Sequence, residues 1–156
     1  MKSSKNFPLI FLVVLMIFQA VSAIGGGLAL VISPSGKLMQ MPLSMLKHSP
    51  FPNFLIPGLF LLIVLGLLPA YAAYALSRKP NCRLCERLNP DKKVHWAWSL
   101  AFFIGIVLIL WIDLEVMFLR AVDILHLIYA LLGVAIVVLT VWPTTRRHFS
   151  VSMRER

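Results

Sequence analysis

The side chains of this chain that could do chemistry fall into two sets. The first is Asp113, Glu115, Arg120, Asp123 and His126, ionisable groups set close together among apolar residues. An ionisable group inside an apolar helix is costly to bury and is a functional candidate by default. A carboxylate beside a histidine can exchange a proton, because burial and mutual charge move both pKa values. The second set is Cys82 and Cys85, spaced Cys-Arg-Leu-Cys. That spacing suits a redox pair or half of a zinc site, and the flanking Arg83 and Arg87 favour the thiolate. With a single CxxC, zinc would need His95, His148 or a second subunit to complete its ligand set. Each set also has a plain reading: a polar clamp that pins a helix hairpin, and two ordinary reduced thiols.

These groups must be positioned by very apolar elements. Of the 156 residues 60% are hydrophobic and 13% charged, against about 25% charged in a soluble domain. Too few polar residues remain to cover a water-facing surface, which excludes a soluble globular enzyme, a disordered tail and a collagen-like chain. Four continuous apolar runs are each long enough to cross about 30 Å of hydrocarbon. Continuous rather than alternating hydrophobicity predicts helices, which satisfy their own backbone in lipid. The expected fold is therefore all-α: a polytopic membrane protein built as an antiparallel four-transmembrane-helix bundle. A single transmembrane domain over 1–156 is expected, with spans at about 7–32, 54–76, 96–118 and 121–142. An outer loop covers 33–53, a basic inner loop 77–95, and a basic C-terminal tail 143–156. Lys2, Lys5 and Ala20-Val21-Ser22-Ala23 resemble a secretory signal. The apolar run continues through Gly25 to Ile32, so a retained span is expected.

The net charge of +9 would suggest nucleic acid in a soluble protein. Here the cations cluster between apolar runs and report topology instead. Lys2, Lys5, Arg78, Lys79, Arg83, Arg87, Lys92, Lys93, Arg146, Arg147, Arg154 and Arg156 stand on one side, against Lys37, Lys47 and Arg120 on the other. Both termini are therefore expected to be cytoplasmic. Tyr71, Tyr74, Trp96, Trp98 and Trp142 are expected at the inner headgroup level. Small residues on the second span (Gly66, Ala70) and the third (Ala97, Ala101, Gly105) predict close contact between those two helices, with Gly66 near Gly105. Pro69 removes a backbone donor and predicts a kink. Glu115 and His126 are expected at similar depth on facing surfaces, with Asp113 snorkelling outward. The stretch Leu38–Leu46 reads either as an interfacial helix or as a loop folded over the bundle mouth.

Several short patterns stand out along the chain: Gly25-Gly26-Gly27 with Pro34-Ser35-Gly36, Ser49-Pro50-Phe51, and Leu55-Ile56-Pro57-Gly58. Downstream lie Trp111-Ile112 with Glu115, then Tyr129, Gly133 and Pro143 before Arg146-Arg147. On these residues the chain resembles a widespread group of small, uncharacterised four-span bacterial membrane proteins. The resemblance implies a bundle with both termini inside and no known activity. The basic loop with Cys82 and Cys85 departs from that group's shorter connection. Membrane disulfide-generating enzymes have similar topology, but their reactive cysteines face the oxidising side. Small multidrug pumps carry an acid on the first helix, and this one has none.

The function expected from the sequence is a non-catalytic accessory or interaction component of a bacterial plasma membrane. It would contact lipids and either a membrane-protein partner or a second copy, with no nucleic acid and no cofactor. The runner-up is a small proton- or ion-coupled transporter using Glu115 and His126. A third reading is a thiol- or zinc-dependent membrane protein acting through Cys82 and Cys85.

Overall fold

A computed structural model describes residues 6–151; Lys2, Lys5, Arg154 and Arg156 of the charge count lie outside the described residues. The fold is all-α. Its elements are α1 (Phe7–Ile32), α2 (Leu55–Arg78), the short α3 (Arg83–Leu88), α4 (Trp96–Leu119), α5 (Ile124–Val141) and α6 (Pro143–Phe149). The four long ones, α1, α2, α4 and α5, are long and apolar enough to cross a membrane. The shortest has 18 residues, about 27 Å of helix at 1.5 Å per residue. The protein is a multi-pass, four-helix membrane bundle.

Each span buries one stripe and offers the rest to lipid. On α1 the buried positions Leu12, Met16, Ala20, Ala23, Gly27 and Leu30 recur every three or four residues, while Phe11, Val14, Phe18, Val21 and Leu28 are exposed. In hydrocarbon there is no hydrophobic drive between helices, so close packing at small residues holds them together. Glycines mark where this happens. A Cβ on Gly27 would stand 2.6 Å from the Leu62 backbone nitrogen, and one on Gly66 2.8 Å from Ile24, so both glycines seat α1 on α2. A Cβ on Gly105 would stand 2.7 Å from Val137, and one on Gly133 2.7 Å from Ile109, so these two seat α4 on α5. The expected Gly66–Gly105 contact is therefore corrected: each glycine serves its own pair, and Ala70 is exposed. The close pairs are consecutive spans, α1 with α2 and α4 with α5.

Pro69 acts on α2 through its missing N–H. The carbonyl four residues before it, on Leu65, loses its helical donor. Over Ile63–Leu67 the helix widens into a π-type turn, a usual response to such a lesion. The Gln19 side-chain amide on α1 then donates to the Leu65 carbonyl at 3.1 Å. One polar residue on the first span thereby repairs the second in the middle of the apolar layer, where an unpaired carbonyl costs several kcal/mol.

The two ends of the bundle are finished differently. At one end the 33–54 loop folds on itself around Leu30, Leu46 and Phe54, with Met41, Met45 and Phe51 packed against them. Phe51 meets Phe118 edge to face at 6.1 Å, which ties this loop to the far end of α4. Within it, Lys37–Met39 and Leu43–Leu46 form single 3-10 turns. At the other end, residues 79–95 and the tail fold together. The backbone of His95 donates to Phe149 at 2.8 Å and that of Val151 to Lys93 at 2.9 Å. Trp96 and Trp98 are buried within the bundle and act as pins. The Trp96 indole donates to the Pro80 carbonyl at 3.1 Å and the Trp98 indole to the Thr140 carbonyl at 2.6 Å. Tyr71, Tyr74 and Trp142 stay exposed.

Candidate functional sites

The five ionisable groups around the α4–α5 turn separate into distinct local arrangements. Glu115 is half-buried near the end of α4, and its Oε1 accepts from the Trp111 indole at 2.7 Å, one helical turn back. Trp111 in turn stacks on Phe60 of α2 at 4.3 Å between ring centroids. Asp123 and His126 form a reciprocal capping box at the start of α5. The Asp123 carboxylate accepts from the helix N-terminus, and His126 Nδ1 accepts from the Asp123 backbone at 3.0 Å. That box satisfies donors every helix start leaves open. Arg120 is the left-handed residue that ends α4, with φ 50°. Asp113 is exposed. Among the described residues no ion pair or hydrogen bond joins Glu115 to His126, Asp123 or Arg120.

Glu115 instead faces the apolar loop. A small pocket of about 60 Å³ is lined by Glu115, Trp111 and Phe118 from α4, Leu30 from α1, Pro57 from α2, and Phe51, Phe54 and Met41 from the loop. Sequence reasoning named Glu115 but missed these partners. The spacing of four between Trp111 and Glu115 was the available signal, since such residues share a helix face.

Cys82 and Cys85 are joined as a disulfide, with Cα atoms 5.2 Å apart. This differs from the expectation of reduced thiols. Cys82 is the cap of α3 and Cys85 completes its first turn, and one helical turn brings Cα atoms within bonding range. A disulfide offers no thiolate to zinc, and no group of three or more His, Cys, Asp or Glu able to hold a metal occurs among the described residues. Cys85 lines an apolar groove of about 260 Å³ with Leu68, Tyr71, Leu88, Trp96 and Phe103.

The segment around the disulfide is held down by polar side chains. Buried Asn89 donates to the carbonyls of Val94 at 2.8 Å and Asp91 at 2.9 Å, and accepts from the Ser99 hydroxyl at 2.6 Å. Asp91 pairs with Arg146 of α6 at 3.5 Å, and Lys79 donates to the His148 carbonyl. His95 caps α4: its Nδ1 accepts from the Ala97 backbone at 3.2 Å, with Glu86 4.0 Å from Nε2. Burial lowers the His95 pKa, opposed by the Glu86 charge and assisted by Lys79. His148 is lowered by burial and Lys79, and Lys79 by burial.

No protein family, curated protein or solved structure matches this chain. What the geometry gives on its own is a small four-span membrane protein with two built ends. The expectation of a small four-span membrane protein is met at the level of that architecture, and no family is assigned by it.

Proposed function

We propose that the protein is a non-catalytic accessory component of a plasma membrane, which holds a folded basic platform against a partner protein or a second copy. One observation carries this reading. The α3 helix is clasped to the bundle through its neighbours, yet Leu84 and Leu88 stand 66% and 73% exposed beside exposed Arg83 and Arg87. Two leucines one turn apart, ringed by arginines on an ordered segment, are the form of a docking surface rather than of a passive linker. The excess of Lys and Arg at this end supports a cytoplasmic placement for it.

Affinity purification in mild detergent tests the proposal. The wild type should retain a stoichiometric partner or second copy, and L84E/L88E should lose it while remaining monodisperse and helical. A wild type that purifies as a partner-free monomer, or proteoliposomes with a pH-driven flux lost in E115Q, would overturn the accessory role.

The disulfide favours one second reading. In a reducing compartment a disulfide is usually transient, either catalytic or redox-sensing. A thiol-dependent role therefore predicts that Cys82 and Cys85 cycle between dithiol and disulfide in cells. Alkylation trapping of membranes checks it, and a pair found in one state under both oxidising and reducing growth would sink it.

A further inference from the structure

The Glu115 pocket holds a feature that the docking role leaves unused. The carboxylate lies four residues, about 6 Å of helix, before the last residue of α4 at Leu119. Trp111 occupies Oε1, and no hydrogen bond to Oε2 occurs among the described residues. The cations nearest in sequence do not serve it: Arg120 is the exposed cap beyond the helix and His126 is committed to its capping box. The walls are rings and aliphatic carbons, with Phe51 and Phe118 edge to face at 6.1 Å. The hydroxyl on the lining, Ser49, is already spent, donating to the Leu46 carbonyl and accepting from the Phe51 backbone.

A carboxylate with one open oxygen, in a pocket lined by aromatic rings, has a definite complement. An ammonium group gives N–H donors to the oxygen and positive charge to the ring faces. A divalent metal needs several oxygen ligands, and the pocket offers one carboxylate. A volume of about 60 Å³ is on the order of two water-sized groups, which suits a primary ammonium and its methylene and is tight for a trimethylammonium. The folded loop contributes Met41, Phe51 and Phe54 to the lining on the side of the helix ends. The nearby span surface is apolar and exposed at Leu55, Leu114 and Met117, which suits acyl chains better than a water-soluble ligand.

We propose that this pocket binds the primary ammonium headgroup of an aminophospholipid, with Glu115 as the anion and the Trp111, Phe51 and Phe118 rings as the aromatic wall. The test uses the full chain in nanodiscs that pair phosphatidylglycerol with either phosphatidylethanolamine or phosphatidylcholine, read by native mass spectrometry of retained lipid. The wild type should retain phosphatidylethanolamine about tenfold over both other lipids, the factor expected of one charge-assisted hydrogen bond. E115Q should lose that preference, while D113N, which removes an exposed charge from the same helix, should keep it. Equal retention of all three lipids by the wild type overturns the proposal, and that comparison needs no variant. A preference that survives in E115Q also overturns it. Displacement of the lipid by free ethanolamine at equal concentration would assign the pocket to a soluble amine and overturn the lipid assignment.

Discussion

The two ends of this bundle solve the same problem with opposite materials. Wherever a membrane helix stops, backbone groups and side chains must pass from hydrocarbon to water. At the 33–54 end the chain closes the gap with an apolar plug: Leu46 and Phe54 against Leu30, with Phe51 on Phe118. At the 79–95 end it uses a polar clasp, in which Asn89, Ser99, Asp91, Arg146 and His95 join the loop and the tail to α4. An apolar plug holds by packing alone, and leaves its one carboxylate available. A polar clasp is specific in register but inherits the titration of its members. The ends should therefore respond to different perturbations, and each should yield while the other holds.

The largest separation is expected from Phe149→Ala. Phe149 is 1% exposed and lies against the His95 ring, with the Lys79 ammonium 4.6 Å from its centroid. Truncating a buried phenylalanine costs about 3–5 kcal/mol. The loss should appear as faster hydrogen exchange at the Val94, His95 and Val151 amides and as proteolysis between 79 and 95. Exchange around Trp111 should change by less than about 0.5 kcal/mol, because distant sites are independent. Equal loosening at both ends would show that they fold as one unit.

How much of this was readable in advance divides along the same line. Four apolar helices in a membrane bundle follow from composition and run length, since nothing else spans lipid with such a sequence. Which glycine meets which helix was not readable. Gly66 and Gly105 have the spacing of an interface, but spacing along one helix does not name the neighbour. The polar residues around the α4–α5 turn looked like one cluster because they are close in sequence. A capping box and an i, i+4 indole bond are local, and local bonds divided them before any long-range pairing arose. The Gln19–Leu65 bond was written in the positions of Gln19 and Pro69, yet needed the α1–α2 register to connect them. Phe149 carried no signal, since a lone aromatic in a basic tail says nothing about where it docks.

A smaller separation is expected from opening the disulfide. Cys82 and Cys85 close a very short loop, and the chain-entropy account gives about 2 kcal/mol for a four-residue ring. C82S/C85S should loosen α3 and raise exchange at the Glu86 amide, which donates to the Cys82 carbonyl. The Asn89 bonds and the pocket at the far end should be unchanged. An unaltered exchange profile would mean that the clasp alone fixes α3.

The mildest perturbation, acid, bears on the clasp through His95. The imidazole caps α4 only while Nδ1 has a free lone pair to accept from the Ala97 backbone. Protonation places a hydrogen on that nitrogen and removes the cap. Burial favours the neutral form, so the folded pKa lies below the ordinary 6.5. The folded state then binds fewer protons than the unfolded one, and its stability rises with pH wherever the two differ. The contribution is complete above the unfolded value and is lost as pH falls through it toward the folded value. His148, also lowered by burial, adds in the same direction. Acidifying from pH 8 to pH 5 should therefore lower the protection factors of the Ala97 and Val151 amides, each rate being referred to the intrinsic rate at that pH, and His95→Asn, a cap that does not titrate, should remove the Ala97 part of that response. Because His95 is only partly buried, the effect should be the smallest of the three. If Ala97 exchange in H95N keeps the wild-type pH profile, the clasp does not titrate through this histidine.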